Sequence, residues 1–301
     1  MQEMKELTSS LRFPEGPIAM ADGSVVLVEI ERGTLSRVQP DGAVDVVAEL
    51  GGGPNGAAMG PDGAIYVCNN GGFKWREANG MLAPAGTPDD YSGGRIERVD
   101  LTSGESSVLY SECDGYALNG PNDIVFDADG GMWFTDLGKT YDTHKDLGVI
   151  YYAKADGSHI SRQIVHRETP NGIALSPDEK TLYFAETVTG RVWAYDVSEP
   201  GVVDGGSAHL LVGLPGFQLF DSMAVDSAGN VCVATLINGG ITVISADGES
   251  VEHVPTEEMF TTNICFGGDD LCTAFITLSG TGRLVSMQWP RPGLALNFLN
   301  K

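Results

Sequence analysis

Six oxygen-bearing side chains, Glu15, Asn55, Asn122, Asn171, Asp221 and Thr262, recur at one fixed place in a repeated pattern along the 301-residue chain. Each stands seven residues ahead of a turn, marked in order by Asp22, Asp62, Asp129, Asp178, Ala228 and Asp269. The set holds two carboxylates, three amides and a hydroxyl, with no His and no Cys. Such a set disfavours a dedicated zinc or iron site. It suits one hard divalent ion, calcium first and magnesium or manganese next, while zinc could still occupy it. Asn55-Gly56 and Asn171-Gly172 also read as turns into a strand. A turn reading asks for one residue type throughout, whereas Glu, a poor turn former, holds the first position. What the six share is an acceptor oxygen.

The elements that position these residues are strands. Around each turn lie two apolar runs, as in Ile124-Val125-Phe126 before Asp129 and Met132-Trp133-Phe134 after it. A third run follows, opened by glycine, as in Gly94-Arg95-Ile96, Gly190-Arg191-Val192 and Gly282-Arg283-Leu284, and then a more polar fourth. Four antiparallel strands per repeat, six times over, predict an all-β fold, a six-bladed β-propeller forming one domain over residues 1–301. The last repeat runs out after three strands, so the segment Lys5–Ser10 is expected to supply the fourth and close the ring. The first strand of each blade lines the channel, which brings the six lead residues to one mouth. Blade two carries an insertion from Asn69 to Tyr91. Its Phe73 and Trp75 read either as walls of a substrate pocket or as a small apolar cluster of the loop itself.

Composition narrows the function further. Forty Gly and 15 Pro suit many short strands joined by tight turns. The formal charge of −23, from 41 acidic against 18 basic residues, repels phosphate backbones and anionic lipid, so neither nucleic acid nor membrane is an expected partner. No apolar run approaches the ~18 residues of a membrane span. The N-terminus lacks the basic and then apolar regions of a signal peptide, and five scattered cysteines read as small buried hydrophobes in a reducing compartment. A cytoplasmic protein is the expectation. There is no G-x-S-x-G elbow, no H-E-x-x-H and no phosphate loop.

The runs Phe13-Pro14-Glu15-Gly16-Pro17, Gly120-Pro121-Asn122-Asp123, Thr169-Pro170-Asn171-Gly172 and Phe220-Asp221-Ser222-Met223, in this order, resemble the senescence-marker-protein-30/gluconolactonase family of six-bladed propellers, which includes diisopropylfluorophosphatase-like enzymes. The resemblance covers essentially the whole chain. It implies that Glu15, Asn171 and Asp221 are core metal ligands, with Asn122 a fourth ligand or a substrate contact and Asn55 in reserve as a further contact. It also implies a small-molecule lactone substrate, with calcium, zinc, manganese or magnesium as the ion. The expected reaction is lactone hydrolysis with the ion as Lewis acid and Asp221 as general base. Its rivals are organophosphate hydrolysis at the same site and a non-catalytic calcium-binding propeller. Asp136 and Glu186, which end second strands, read either as groups supporting the ring from behind or as exposed loop acids. The blade-two insertion is where the chain departs from the family and is expected to set specificity.

Overall fold

A computed structural model describes residues 4–301. Met1, Gln2 and Glu3, on which part of the leader reading and the start of the expected domain fall, lie outside the described residues. The described residues form an all-β, six-bladed propeller. Blade one is the sheet Pro14–Ala19, Val25–Glu29, Thr34–Val38 and Val44–Glu49, in sequence order from the channel outward. The first strands of blades two to six are Pro54–Met59, Pro121–Phe126, Pro170–Leu175, Leu219–Val225 and Thr261–Gly267. Lys5–Thr8 pairs antiparallel with Arg283–Gln288 and supplies the outer strand of blade six, as the sequence predicts. No helix is long and apolar enough to cross a membrane.

Strand composition follows position in the blade. The second strands, such as Val25–Glu29 and Ile65–Asn69, are buried along their whole length because both of their faces meet a neighbouring blade. Outer strands such as Val44–Glu49 are half exposed and correspondingly polar. The core therefore lies between blades. Val26, Val28, Ile65 and Val67 pack blade one on blade two, and Trp133, Tyr152, Phe184 and Leu182 pack blade three on blade four. Each such side chain contributes roughly 1.5–3 kcal/mol by leaving water.

Two local features turn this stack into a frame for a site. In every blade the pairing of first and second strand shifts register at the lead position: between Glu15 and Ile18, Pro54 and Ala57, Pro121 and Ile124, Pro170 and Ile173, Phe220 and Met223, and Thr261 and Asn263. These are β-bulges, which re-aim a side chain out of the pleat. The second feature is the residue after the lead, which is Gly16, Gly56 and Gly172 in three blades. A Cβ on Gly172 would stand 2.7 Å from the Asp221 carbonyl oxygen and 2.8 Å from the Met223 nitrogen, both backbone atoms of the next blade. Gly172→Ala is therefore expected to lower the melting temperature, with a loss on the order of 1–3 kcal/mol from overpacking. Gly205→Ala, where a Cβ meets nothing within 4 Å, should melt as the wild type does. Equal melting of the two variants would disprove this account of the close approach.

Candidate metal centre and channel mouth

The bulged first strands bring Glu15, Asn55, Asn122, Asn171 and Asp221 to the same end of the channel. The first four are buried and Asp221 is half-buried. Glu15 Oε2 accepts hydrogen bonds from Asn263 Nδ2 (2.6 Å) and its neighbour Gly16 N (2.7 Å). Asn171 Nδ2 donates to Asp221 Oδ1 at 2.6 Å and to Thr187 Oγ1 at 3.2 Å. Each carboxylate thus has one oxygen tied by an amide, which leaves the other free to face an ion.

The two acids at the mouth are held in an environment that disfavours their charge. Burial pushes the Glu15 carboxyl well above the usual carboxylate range and the nearby Asp221 charge adds to it, against the bonds from Asn263 and Gly16. Burial likewise pushes Asp221 up to about 7, with the Asn171 bond opposing and the Asp123 charge reinforcing. Two desolvated carboxylates facing one another without a positive partner are costly, and a divalent ion relieves both penalties. Asn122 Oδ1 is buried with no hydrogen-bond partner, although buried polar atoms are normally satisfied. A carbonyl oxygen in that condition beside two carboxylates fits an oxygen-ligated ion. No cluster of three or more His, Cys, Asp or Glu with metal-holding placement occurs among the described residues, so any ion here relies on amide oxygens as well as the two acids.

The sixth lead position behaves differently from the other five. Thr262 Oγ1 bonds within its own blade, to Thr277 Oγ1 at 2.9 Å and to Ser279 Oγ. The bulge in blade six falls at this residue, and the following Asn263 is the one that reaches Glu15. Asp123 is a second residue without a place in the sequence reading. It is buried and lines the channel, and its carboxylate accepts from Ile124 N (3.0 Å) and from Ile173 N of the next blade (3.2 Å). Burial raises it to about 7. The signal was present: Asp123 stands where blades one, two and four have glycine.

Asp136 and Glu186 are not exposed loop acids. Both are buried. Asp136 accepts from Asn119 N and Gly120 N at 2.7 Å each, and Glu186 binds Arg167 and Trp193 Nε1. They fasten the backbone just ahead of Asn122 and Asn171.

The blade-two insertion is a roof over part of the mouth. Its hairpin, Trp75–Ala78 with Met81–Pro84, reaches past blade one to blade six, where Leu82 N donates to Gly280 O at 2.8 Å. Trp75 lies 5.1 Å from the Phe13 ring and 5.9 Å from Phe73, and the three share a cluster with Phe260. On the other side Thr87 Oγ1 donates to Thr140 O at 2.7 Å, in the blade-three loop. The buried Lys139 donates to Gly72 O at 2.7 Å and sits 4.6 Å over the Phe73 ring. Phe73 and Trp75 thus fasten the roof to Phe13 of blade one, Phe260 just ahead of blade six and Lys139 of blade three.

The opposite end is closed by the C-terminal segment, for which the repeat pattern holds no signal. Arg291 Nε pairs with the buried Asp226 at 2.7 Å, Leu294 N donates to Val225 O at 2.9 Å, and Asn297 Nδ2 donates to Glu179 Oε1 at 2.7 Å. Between this segment and the lead ring the channel is lined by Ile18, Met59, Ile124, Ile173 and Met223.

Comparison with known proteins places this architecture. A lactonase drp35 of Staphylococcus saprophyticus is 30% identical over 244 residues, which is 80% of this chain and 68% of the relative. A gluconolactonase of Zymomonas mobilis is 26% identical over 297 residues, covering 87% and 75%. Among solved structures, a gluconolactonase of Xanthomonas campestris superposes with a TM-score of 0.76 at 24% identity, over 95% of this chain and 90% of that one. A calcium-binding regucalcin of Agrobacterium tumefaciens also gives 0.76, at 18% identity over 97% and 95%; these two likenesses speak for the fold. The model of the SMP-30/gluconolactonase/LRE-like region matches residues 13–280, from the residues just ahead of Glu15 to the last blade, and the chain belongs to that family.

Proposed function

We propose that the protein is a metal-dependent hydrolase that opens a lactone ring to the hydroxy acid, with the ion held by Glu15, Asn122, Asn171 and Asp221. The observation that carries this reading is the partnerless, buried Asn122 Oδ1 at the same mouth as two desolvated carboxylates, in a chain whose relatives include a lactonase and a gluconolactonase. A divalent ion bound there would supply Lewis acidity toward the lactone carbonyl oxygen. The hard-oxygen donor set favours calcium, then magnesium or manganese.

The chain's own residues divide the remaining work. Asp221 is the less buried of the two ring carboxylates, so it is placed to take a proton from an entering water as that water attacks the ring carbonyl. Asn171 fixes Asp221 Oδ1 and leaves Oδ2 for this task. Glu15, buried and bonded by Asn263, serves as ligand alone. Asn55 and Asn122 border the space a bound lactone would fill, and Phe73 and Trp75 bound it from the roofed side.

Acid release from D-glucono-δ-lactone and γ-butyrolactone tests the proposal, with ion-free protein titrated with calcium, manganese, magnesium or zinc. Turnover should be absent without an ion and appear on its addition. If no lactone opens with any of the four ions, the reading fails, and hydrolysis of the P–F bond of diisopropyl fluorophosphate instead would move the activity to the organophosphate class.

A further inference from the structure

The side of the mouth away from the roof has a chemistry of its own. Three loops border it on blades four and five: Thr187-Val188-Thr189-Gly190, Leu214-Pro215-Gly216-Phe217-Gln218 and Leu236-Ile237-Asn238-Gly239. None carries a charged residue, in a chain where 20% of residues are charged. Their large apolar side chains face water: Phe217 is 70% exposed, Val188 49% and Ile237 42%, and Met259 on the adjoining loop is 39% exposed. The one exposed charge on that adjoining loop is Glu257. The loops are joined to one another, with Ile237 N donating to Met259 O at 2.8 Å and Leu214 N to Gly190 O at 3.2 Å.

Ile237 adds an independent sign. Its φ is +69°, in the left-handed region, where a β-branched residue is strained and Asn or Gly is at ease. Asn238 and Gly239 stand next to it, yet isoleucine occupies the strained position with its side chain held outward. Backbone strain of this kind collects at sites that touch a ligand.

We propose that Phe217, Ile237 and Met259 form an apolar rim that receives the alkyl or aryl substituent of the substrate, and that the enzyme selects substituted, hydrophobic lactones over polyhydroxylated sugar lactones. The inference rests on the lactonase reading. A rim beside Asp221 meets whatever projects from a lactone whose carbonyl lies at the ring. The exposed side chains of Phe217, Ile237 and Met259 gain nothing until a chain covers them, and each substrate methylene so buried strengthens binding by up to roughly fourfold. The side chains of these loops that stand farthest into water, Phe217, Val188 and Ile237, offer a sugar lactone's hydroxyls no hydrogen bond.

The test uses ion-loaded protein and a chain-length series from γ-butyrolactone to γ-nonalactone, with D-glucono-δ-lactone alongside. The wild type should show kcat/KM rising at least tenfold along the series, carried by KM. In Phe217→Ser with Ile237→Asn, the ratio of nonalactone to butyrolactone kcat/KM should fall toward one. Ile237→Asn relieves the backbone, so the variant should melt no lower than the wild type, which separates a rim from a structural prop. A flat series, a preference for the sugar lactone, or a loss shared equally by all lactones would overturn the rim. A wild type that opens no lactone sinks the lactonase reading instead. Calorimetric titration with 4-hydroxynonanoate and 4-hydroxybutanoate then decides the rim separately: tighter binding of the longer acid that the double variant abolishes upholds it, and equal or absent binding overturns it.

Discussion

Asp221→Asn and Glu15→Gln should each lower kcat/KM for a lactone by at least a thousandfold, and only Glu15→Gln should recover when the ion is raised. The two losses have a common cause. Asn171 Nδ2 donates to Asp221 Oδ1, and Asn263 Nδ2 donates to Glu15 Oε2. In either variant the new amide must turn its oxygen to that donor, which leaves its NH2 group facing the ion. An attractive ligand becomes a repulsive one, and affinity for the ion should fall by a hundredfold or more. Excess ion overcomes a weakened site, so Glu15→Gln regains activity. Asp221→Asn regains the ion but not the proton acceptor, and a missing general base costs about 10²–10⁴ in rate. Equal rescue of both variants would reduce Asp221 to a ligand. Rescue of neither, with ion binding restored in both, would make Glu15 part of the chemistry.

The contrast between these two acids separates what the sequence carries locally from what only the fold supplies. Both are visible in the repeat as the anionic members of a ring of neutral oxygens, because blade geometry forces one strand position to the channel and the turn seven residues on marks that position. The N-terminal strand was equally legible, since a blade one strand short needs a partner for its edge. Their different exposure was not legible. Nor was the roof hairpin, which runs from blade two to Gly280 in blade six, a contact with no local pattern. Thr262 shows the limit of counting offsets: the blade-six register shift spans one residue where the others span two, the Thr262 hydroxyl bonds within its own blade, and Asn263 reaches Glu15 in its place. Asp123 could have been found by asking why blade three lacks the glycine that blades one, two and four need for close packing. The C-terminal closure leans on single contacts such as Arg291 with Asp226, and no periodicity announces it.

The desolvated acids make a second large effect measurable without a substrate. Burial pushes the Asp221 carboxyl up to about 7 in the fold, against about 4 in an unfolded chain, and Glu15 is raised in the same direction. The folded state therefore holds more protons than the unfolded state between these limits. Stability of the ion-free protein is full below the unfolded value and declines as pH rises through the folded one. At roughly 1.4 kcal/mol per unit, Asp221 alone accounts for an upper bound of about 4 kcal/mol. Chelated protein should thus melt several degrees lower at pH 8 than at pH 5.5. The ion reverses the slope, because it binds the deprotonated pair: the rise in melting temperature on adding calcium should be largest at pH 8 and fade as protons compete below about 7. General repulsion within a chain of charge −23 also weakens the fold with rising pH, and Asp221→Asn isolates the site from it. If the carboxylate is the cause, the chelated variant loses much of the pH slope and melts above chelated wild type at pH 8. An unchanged slope would place the cost of high pH on the surface and remove the electrostatic case for an ion at this mouth.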